Sequence, residues 1–269
     1  MLTTPLDDDA IEGYYVPFHG HRAKDLALAL NALRRRHDRV VFLAGDSSLD
    51  NKYWHDSWAD AINGYERVLR PQRMKRDVCY WMNAEAAADD ARGAGRRNAS
   101  SSNTSSSSSS SSIGCVNAAV EATALNDRAF GRLLPQDAFV RDNITENDVL
   151  IVSVGGNDVA LQPLLCTCLN LSALVCCVPA ACVEKCARAS PPNLYRCRGR
   201  DVDCGCVGCG CQGCVAGLAG WPPGFGYVAD LFKNRVENYV RKLCAATRPK
   251  VRSIHWSPYD RVGVVNADP

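Results

Sequence analysis

The sequence lacks the long apolar stretch, about 18 residues, that a membrane-spanning helix needs. It also lacks a long basic run, and its formal net charge is only +2 at pH 7. Nucleic acid and anionic membrane surfaces are therefore not expected as its main partners. The first residues, MLTTPLDDDAIEGYY, have neither the basic region nor the apolar region of a secretory signal peptide. From these absences we expect a cytoplasmic protein with no transmembrane segment.

Cysteine, by contrast, is abundant, and twelve of the 15 cysteines lie between Cys166 and Cys214. A disulfide framework would need an oxidising compartment, which the missing signal peptide does not support. Thiolates at C-x-C and C-x-x-C spacing can instead bind zinc. The candidate metal ligands are Cys204, Cys206, Cys209, Cys211 and Cys214. Disulfides, or a glycine- and cysteine-rich insertion without defined structure, remain the alternatives.

Composition also predicts how the chain is organised. Residues 99–112 are almost entirely serine, and such a tract cannot bury apolar surface, so we predict a disordered linker there. Residues 166–220 form a cysteine-rich insertion. With 46% hydrophobic residues overall, the rest of the chain can build one core. We therefore predict a single α/β domain over 1–269 that carries both interruptions.

Hydrophobic periodicity predicts strands that alternate with helices, as in a parallel α/β sheet. The predicted strands are 39–45, 76–83 and 149–154, and 250–260 is predicted as a further strand followed by a turn. The predicted helices are 22–36, 54–69, 84–93 and 227–247, and the apolar cysteine-containing run from 164 to 187 is also compatible with helix. In such sheets the functional residues lie at the carboxyl ends of the strands.

Two short polar motifs follow predicted strands at that edge. Gly45-Asp46-Ser47 follows the first strand, and Gly155-Gly156-Asn157-Asp158 follows the strand at 149–154. Each motif alone has an ordinary interpretation, since serine and aspartate cap helices and a Gly-Gly-Asn-Asp sequence can be a plain turn. We expect Asp46 and Asp158 to accept backbone N–H groups and hold their turns, rather than to act as acid or base.

Together, and in this order, the two motifs resemble the first and third conserved blocks of the SGNH, or GDSL-type, hydrolases, a superfamily of esterases, lipases and acyl hydrolases. The strings FLAGDSSLDNKYW and VSVGGNDVAL are most similar to a divergent branch found in protists and algae. The resemblance covers roughly residues 15–165 and 222–260. It implies a flavodoxin-like three-layer α/β/α sandwich with a central parallel sheet, a small-molecule ester as substrate, and no cofactor.

The resemblance also implies roles for individual residues. Ser47 is the nucleophile that forms an acyl-enzyme, and its backbone N–H and the side-chain amide of Asn157 stabilise the oxyanion. A third donor is the backbone N–H of a glycine in an intervening block. VNAAVEAT is similar to that block, with Ala122 at the glycine position. Alanine keeps the N–H, and we expect the donor to remain if φ at Ala122 is negative.

The general base is the point at which the sequence departs from the superfamily. A serine hydroxyl needs an adjacent imidazole to accept its proton, and the superfamily supplies it from a C-terminal D-x-x-H block. No D-x-x-H occurs in this chain. The five histidines are His19, His21, His37, His55 and His255, of which His55 and His255 are the candidate substitutes. The alternatives are a catalytically inactive SGNH-fold binding protein, a truncated hydrolase, or a cysteine-rich metal-binding protein.

Overall fold

The computed structural model describes residues 10–54, 56–99, 112–128, 132–194, 211–245, 251–254 and 263–267. The serine tract at 100–111 and the candidate ligands Cys204, Cys206 and Cys209 lie outside these residues. The chain divides into two compact units. The first takes its described residues from 1–121, 135–153 and 246–269, and the second takes them from 122–134 and 154–245.

The helices and strands are numbered along the chain. The α-helices are α1 (Ala23–Arg34), α2 (Val78–Ala99), α3 (Pro135–Asn143), α4 (Gly156–Ala160), α5 (Leu165–Cys177), α6 (Ala180–Cys186), α7 (Cys211–Leu218), α8 (Phe225–Ala229) and α9 (Val236–Leu243). The strands are β1 (Ile11–Glu12), β2 (Arg39–Gly45), β3 (Trp58–Asp60), β4 (Leu69–Arg70), β5 (Arg73–Lys75), β6 (Ile113–Asn117), β7 (Val149–Ser153), β8 (Arg188–Ala189), β9 (Gly220–Trp221), β10 (Val251–Ile254) and β11 (Gly263–Ala267).

The first unit is built on a five-stranded sheet with the order β10-β11-β7-β2-β6. Strands β7, β2 and β6 are parallel, with Phe42 opposite both Val116 and Leu150. Strand β11 pairs antiparallel with β7, and β10 pairs antiparallel with β11. The sheet is therefore mixed. The strand predicted at the start of 250–260 is present as β10, but it pairs antiparallel with β11, and residues 255–260 lie outside the described residues.

Strand β2 lies in the middle of the parallel part because nearly all of its side chains are apolar. Val40 to Ala44 are buried, as expected for a parallel strand covered on both faces. Helices α1 and α3 pack against each other and against β2, and α1 also packs on β6. The buried stripe of α1 is Leu26, Ala29, Leu30 and Leu33, which matches the prediction of a helix over 22–36.

The outer edge of β6 is closed by the side chains of two buried asparagines, Asn63 and Asn83. Asn83 Nδ2 donates to the carbonyl of Cys115 at 2.9 Å, and the Cys115 N–H donates to Asn83 Oδ1 at 3.0 Å. Asn63 Nδ2 donates to the Ile113 carbonyl at 3.0 Å and to Asn83 Oδ1 at 2.9 Å. The two amides thus satisfy backbone groups that a neighbouring strand would otherwise pair.

Two predicted elements of the first unit are wrong. The helix predicted for 54–69 is replaced by β3, a single 3₁₀ turn at Tyr65–Arg67 and β4. Asn63 and Gly64 have φ values of 58° and 112°, in the left-handed region, so an α-helix cannot pass through them.

The strand predicted for 76–83 is the beginning of α2. Asp77 Oδ1 accepts the Tyr80 N–H at 2.8 Å, the hydrogen bond of a helix N-cap. The helix predicted for 84–93 is part of the same element, which continues to Ala99.

The second unit is mostly helical. Helices α5 and α6 confirm that the apolar cysteine-containing run is helical. The predicted helix at 227–247 is present from Phe225 to Leu243, with a π-helical segment at Asp230–Arg235 between α8 and α9. Strands β8 and β9 form a short antiparallel pair.

Asp230 is fully buried in the π-helical segment and accepts hydrogen bonds from several residues of the second unit. Its carboxylate accepts from the amides of Gln212 and Asn234 and from Arg235. These hydrogen bonds satisfy the carboxylate at a place where the regular α-helical pattern is interrupted.

Among the described residues, no single helix combines the length and hydropathy needed to cross a bilayer. One pair, α5 and α6, reaches the threshold only when the two helices are taken together, and they are bent by 103°.

Candidate functional site

The turn that follows β2 depends on Gly45. Its φ is +144°, and a Cβ at this position would lie 1.9 Å from the carbonyl oxygen of Ser153 in β7. Only glycine fits there, because the strands approach each other too closely for any side chain. The next N–H, that of Asp46, donates to the same Ser153 carbonyl at 3.1 Å. The chain therefore leaves the sheet sharply at residue 46.

Asp46 holds the turn that it begins. Its buried carboxylate accepts the Ser48 N–H at 3.0 Å through Oδ1. Its carbonyl accepts the N–H groups of Leu49 at 3.1 Å and Asp50 at 3.0 Å. These contacts are the ones expected of a carboxylate that supports a loop.

The two serines of this turn have different surroundings. The Ser48 hydroxyl is exposed and donates to Ser153 Oγ at 2.6 Å. Ser47 is half-buried, and its hydroxyl makes no hydrogen bond within the described part of the chain. Ser47 therefore presents, at the carboxyl end of β2, a hydroxyl with no described hydrogen-bond partner.

Asn117, at the end of β6, ties the neighbouring strand to this turn. Its buried side chain donates to the Leu49 carbonyl at 2.9 Å and accepts the Ala119 N–H at 3.1 Å. The Val120 N–H donates to the Gly45 carbonyl at 3.0 Å. Asn117 was not predicted from the sequence, although a polar residue at the end of an apolar strand on this edge was the available signal.

A buried ionic cluster lies just after the turn and was also missed. Lys52 Nζ lies 2.8 Å from both carboxylate oxygens of Asp50 and 3.5 Å from Glu121 Oε1. All three side chains are at most 1% exposed. The Glu121 N–H also donates to Asp50 Oδ2 at 3.1 Å. One ammonium group therefore serves two carboxylates inside the first unit.

The described histidines are bonded to backbone carbonyls. His21 is buried, donates through Nδ1 to the Tyr14 carbonyl at 2.7 Å and stacks on the Tyr14 ring at 3.9 Å. Burial lowers the pKa of His21 to about 4. His37 Nε2 lies 3.0 Å from the Asn63 carbonyl, and His19 Nδ1 lies 3.4 Å from that of Glu121. None of these three histidines is hydrogen-bonded to Ser47.

The two candidate substitute bases, His55 and His255, lie outside the described residues. Their assignment stays a prediction.

The second unit brings together the other predicted residues, Ala122, Asn157 and Asp158. Asn157 Nδ2 donates to the Thr123 carbonyl at 2.8 Å, and Gln162 Nε2 donates to the Ala122 carbonyl at 3.1 Å. The Asn157 amide nitrogen carries two hydrogens, and its hydrogen bond to the Thr123 carbonyl uses one of them.

Asp158 supports the same loop. Its buried carboxylate accepts the Leu125 N–H at 2.7 Å through Oδ2, and burial raises its pKa.

The condition set for the third donor, a negative φ at Ala122, is not met. Its φ is +56°, in the left-handed region that favours glycine. The backbone thus keeps a glycine-like conformation although the side chain is alanine. The Ala122 N–H is retained, and its direction follows from this left-handed geometry.

The predicted cysteine ligands are only partly described. Cys211 and Cys214 lie in α7, and their side chains lie outside the described part of the structure. Within the described ranges, no group of three or more His, Cys, Asp or Glu side chains could hold a metal ion. Nine cysteines in those ranges are free thiols.

Comparisons with protein-family models, with curated proteins and with solved structures find no match to this chain.

Proposed function

We propose that this chain is a serine ester hydrolase of the SGNH type that forms an acyl-enzyme on Ser47. The observation that carries the proposal is the position of Ser47. It follows a glycine at φ +144° at the carboxyl end of the central parallel strand, and its hydroxyl has no hydrogen-bond partner among the described residues. A nucleophile needs such a position, where a carbonyl carbon can approach the hydroxyl.

Two further observations support the resemblance. The parallel strands lie in the order second, first, third along the chain (β6, β2, β7), which is the order at the start of a flavodoxin-like sheet. Ala122, at the position where the superfamily has glycine, adopts the left-handed backbone that glycine favours. We propose on this basis that the mixed sheet is a variant of the flavodoxin-like sandwich.

In the proposed reaction, Ser47 Oγ attacks the ester carbonyl and loses its proton to a base. The tetrahedral oxyanion is stabilised by N–H donors, for which we propose the Ser47 backbone and the Asn157 amide. The alcohol then leaves with a proton, and water hydrolyses the acyl-enzyme to release the acid. Removing one oxyanion donor typically lowers kcat by about 10²–10³.

A second candidate function is that of an inactive SGNH-fold protein that binds a small ester or another ligand. The observation that favours it is the lack of an imidazole hydrogen-bonded to Ser47 among the described residues, together with the missing D-x-x-H block. Without a base, a serine hydroxyl is a poor nucleophile at neutral pH.

Labelling with a fluorophosphonate, followed by intact-mass measurement, separates the two functions. An activated serine gives one covalent adduct on the wild-type chain. Ser48→Ala is the matched control, because Ser48 is the neighbouring hydroxyl and is already committed to Ser153. The proposal predicts an adduct on the wild type and on Ser48→Ala, and none on Ser47→Ala.

No adduct on a wild-type chain with a cooperative unfolding transition would overturn the hydrolase and favour the binding protein. An adduct that persists in Ser47→Ala would overturn the assignment of the nucleophile. If the labelling succeeds, Asn157→Ala is expected to lower the turnover of a p-nitrophenyl ester by about 10²-fold.

A further inference from the structure

A cavity of about 750 Å³ opens in the first unit beside the first two turns of α2. Val78, Trp81, Met82 and Glu85 line it, and their spacing places them on one face of the helix. Arg76 and Asp77 line it at the beginning of that helix. Its volume is typical of small-molecule sites, as is an apolar wall with a few polar groups.

Asp77 is the buried carboxylate in the lining of this cavity. Its side chain is buried, with the residue only 2% exposed, and Oδ1 accepts the Tyr80 N–H at 2.8 Å. Asp77 has no ion pair with any residue that the structure describes. Burial raises the pKa of Asp77 to about 7. A buried carboxylate of this kind is stabilised by a cation placed against it.

The apolar wall offers an aromatic face. Trp81 is 53% exposed, and its one described ring contact is with Tyr80, edge to face at 5.3 Å between centroids. A large exposed indole beside a cavity can bury the apolar part of a ligand, and its π-face attracts a positive charge. Met82 adds a flexible, polarisable surface that adapts to different shapes.

The charges around the cavity favour a positive ligand. Asp77 and Glu85 are acidic, and among the lining residues that the structure describes Arg76 is the basic one. Arg76 is exposed and has no ion pair within the described part of the chain. An anionic ligand could pair with Arg76, but it would bring a negative charge beside two carboxylates, one of them buried.

We propose that this cavity binds an organic ammonium ion that carries an apolar or aromatic substituent. The ammonium group pairs with Asp77, and the substituent packs on Trp81 and Met82. The site is separate from the proposed ester hydrolysis and does not depend on it. Ser47→Ala is accordingly expected to leave binding unchanged, so the failure of one proposal is distinguishable from the failure of the other.

Isothermal titration calorimetry at pH 8 with three probes of similar shape tests this proposal. The probes are 2-phenylethylammonium, the neutral 2-phenylethanol and the anionic 3-phenylpropionate. We expect the ammonium ion to bind at least about tenfold more tightly than the other two, a difference of about 1.4 kcal/mol.

Three variants test the assigned contacts. Asp77→Asn keeps an oxygen for the Tyr80 N–H and removes the charge, so the helix cap is retained while ammonium binding weakens about tenfold or more. Trp81→Leu is expected to weaken binding as well. Arg76→Gln removes a repulsive charge and is expected to tighten it severalfold.

The opposite pattern would overturn the proposal. Tighter binding of 3-phenylpropionate that is lost in Arg76→Gln would identify an anion site instead. No heat with any probe, from wild-type protein with a cooperative unfolding transition, would show that the cavity does not select this class of ligand. Equal binding of the ammonium ion to the wild type and Asp77→Asn would remove Asp77 as its partner.

Discussion

At the residue scale, Lys52 is a fully buried cation of the first unit. Its ammonium is the counter-charge of Asp50 and Glu121, and all three side chains are almost completely buried. A buried ion pair adds little stability over apolar residues of similar size, but removal of one partner leaves an uncompensated charge. Asp50 and Lys52 follow the Ser47 turn directly in sequence, and Asp50 accepts the Glu121 N–H, so the cluster also fixes the loop after β6.

Lys52→Met tests this role. We expect the free energy of unfolding to fall by about 3–5 kcal/mol, because Asp50 and Glu121 lose their cation. Urea unfolding followed by circular dichroism measures the change. The control is Lys24→Met, since Lys24 lies exposed on α1, and it should change stability by less than about 0.5 kcal/mol. Equal effects of the two variants would contradict the described cluster.

Ala122 carries a backbone conformation that its side chain disfavours. At φ +56°, an alanine costs roughly 1 kcal/mol relative to glycine. We therefore expect Ala122→Gly to raise the free energy of unfolding by about 0.5–1 kcal/mol, although glycine usually destabilises folded chains. Thermal unfolding of the variant beside Ala124→Gly, a buried alanine of the same loop, measures the difference. A loss of stability in both variants would contradict the left-handed backbone at residue 122.

Asp77 and His21 make the free energy of unfolding depend on pH in opposite directions. The pKa of Asp77 is raised to about 7 by burial, so the folded chain retains a proton that the unfolded chain releases above its ordinary pKa of 3.8. The retained proton stabilises the folded chain. This stabilisation is fully present below about pH 4 and is lost as the pH rises to about 7. The pKa of His21 is lowered to about 4, so its contribution is present above its ordinary pKa of 6.5 and is lost as the pH falls toward 4.

The two variants Asp77→Asn and His21→Gln separate these contributions. Relative to the wild type, Asp77→Asn should gain stability as the pH rises from 4 to 7, by at most about 1.4 kcal/mol per pH unit. His21→Gln should gain stability relative to the wild type as the pH falls from 6.5 to 4. Guanidinium unfolding at several pH values measures both. Parallel profiles for all three proteins would contradict the two pKa shifts.

At the element scale, α2 depends on contacts that side-chain patterning does not reveal. Asn83 lies in the interior of the helix, where asparagine is a poor helix former. Its amide donates to the carbonyls of Cys79 in the helix and Cys115 in β6, and it accepts the Cys115 N–H. The residue therefore attaches the helix to the edge of the sheet through the backbone of both elements.

Asn83→Ala should be costly for this reason. The Cys115 N–H and the second amide, that of Asn63, would each lose a buried partner, and each such loss costs about 1–3 kcal/mol. We expect the free energy of unfolding to fall by roughly 2–4 kcal/mol, as measured by urea denaturation. Asn143→Ala is the matched control, because Asn143 is exposed at the end of α3 and its side chain donates to the Phe139 carbonyl of its own helix.

The sequence predicted those elements in which one strong pattern dominates. The apolar run of β2, the run of β7 and the periodic stripe of α1 are found within two residues of their predicted bounds. The prediction failed where backbone geometry or a helix cap determines which element forms. Asn63 and Gly64 stop a helix through their positive φ, and the hydrogen bond from Tyr80 to Asp77 starts one inside an apparent strand.

The candidate site shows the same division. Gly45, Asp46 and Ser47 form the predicted turn because glycine, aspartate and serine each leave a recognisable local signal. Glu121 could not be paired with Lys52 from sequence, because this contact joins segments that are distant along the chain. The left-handed φ of Ala122 was missed since alanine itself gives no such signal.

At the scale of the whole molecule, the described cysteines differ in exposure. Cys79 and Cys115 are buried in the first unit, whereas Cys168, Cys176, Cys177 and Cys186 are exposed in the second. All of them are free thiols. Burial also raises the pKa of Cys244 to about 11, which lowers its reactivity because the thiolate is the reactive form.

Native alkylation tests this distribution. With iodoacetamide at pH 8 and without reductant, the four exposed cysteines should be modified within minutes, and Cys79, Cys115 and Cys244 should react only after unfolding. Peptide mass mapping of native and unfolded samples measures both sets. Protection of the exposed cysteines that is lifted by reductant would reveal disulfides and contradict the free thiols. Rapid native labelling of Cys79 would contradict its burial.

The asparagine pair at the outer edge of β6 has a consequence for encounters between chains. An open sheet edge is a template on which a strand from another molecule can add, and this is how many proteins begin to aggregate. Here the carbonyls of Ile113 and Cys115 and the N–H of Cys115 are already occupied by Asn63 and Asn83. An incoming strand would have to displace two buried amides before it could form its first hydrogen bonds. The same contacts that attach α2 to the sheet therefore protect this edge against intermolecular β-addition.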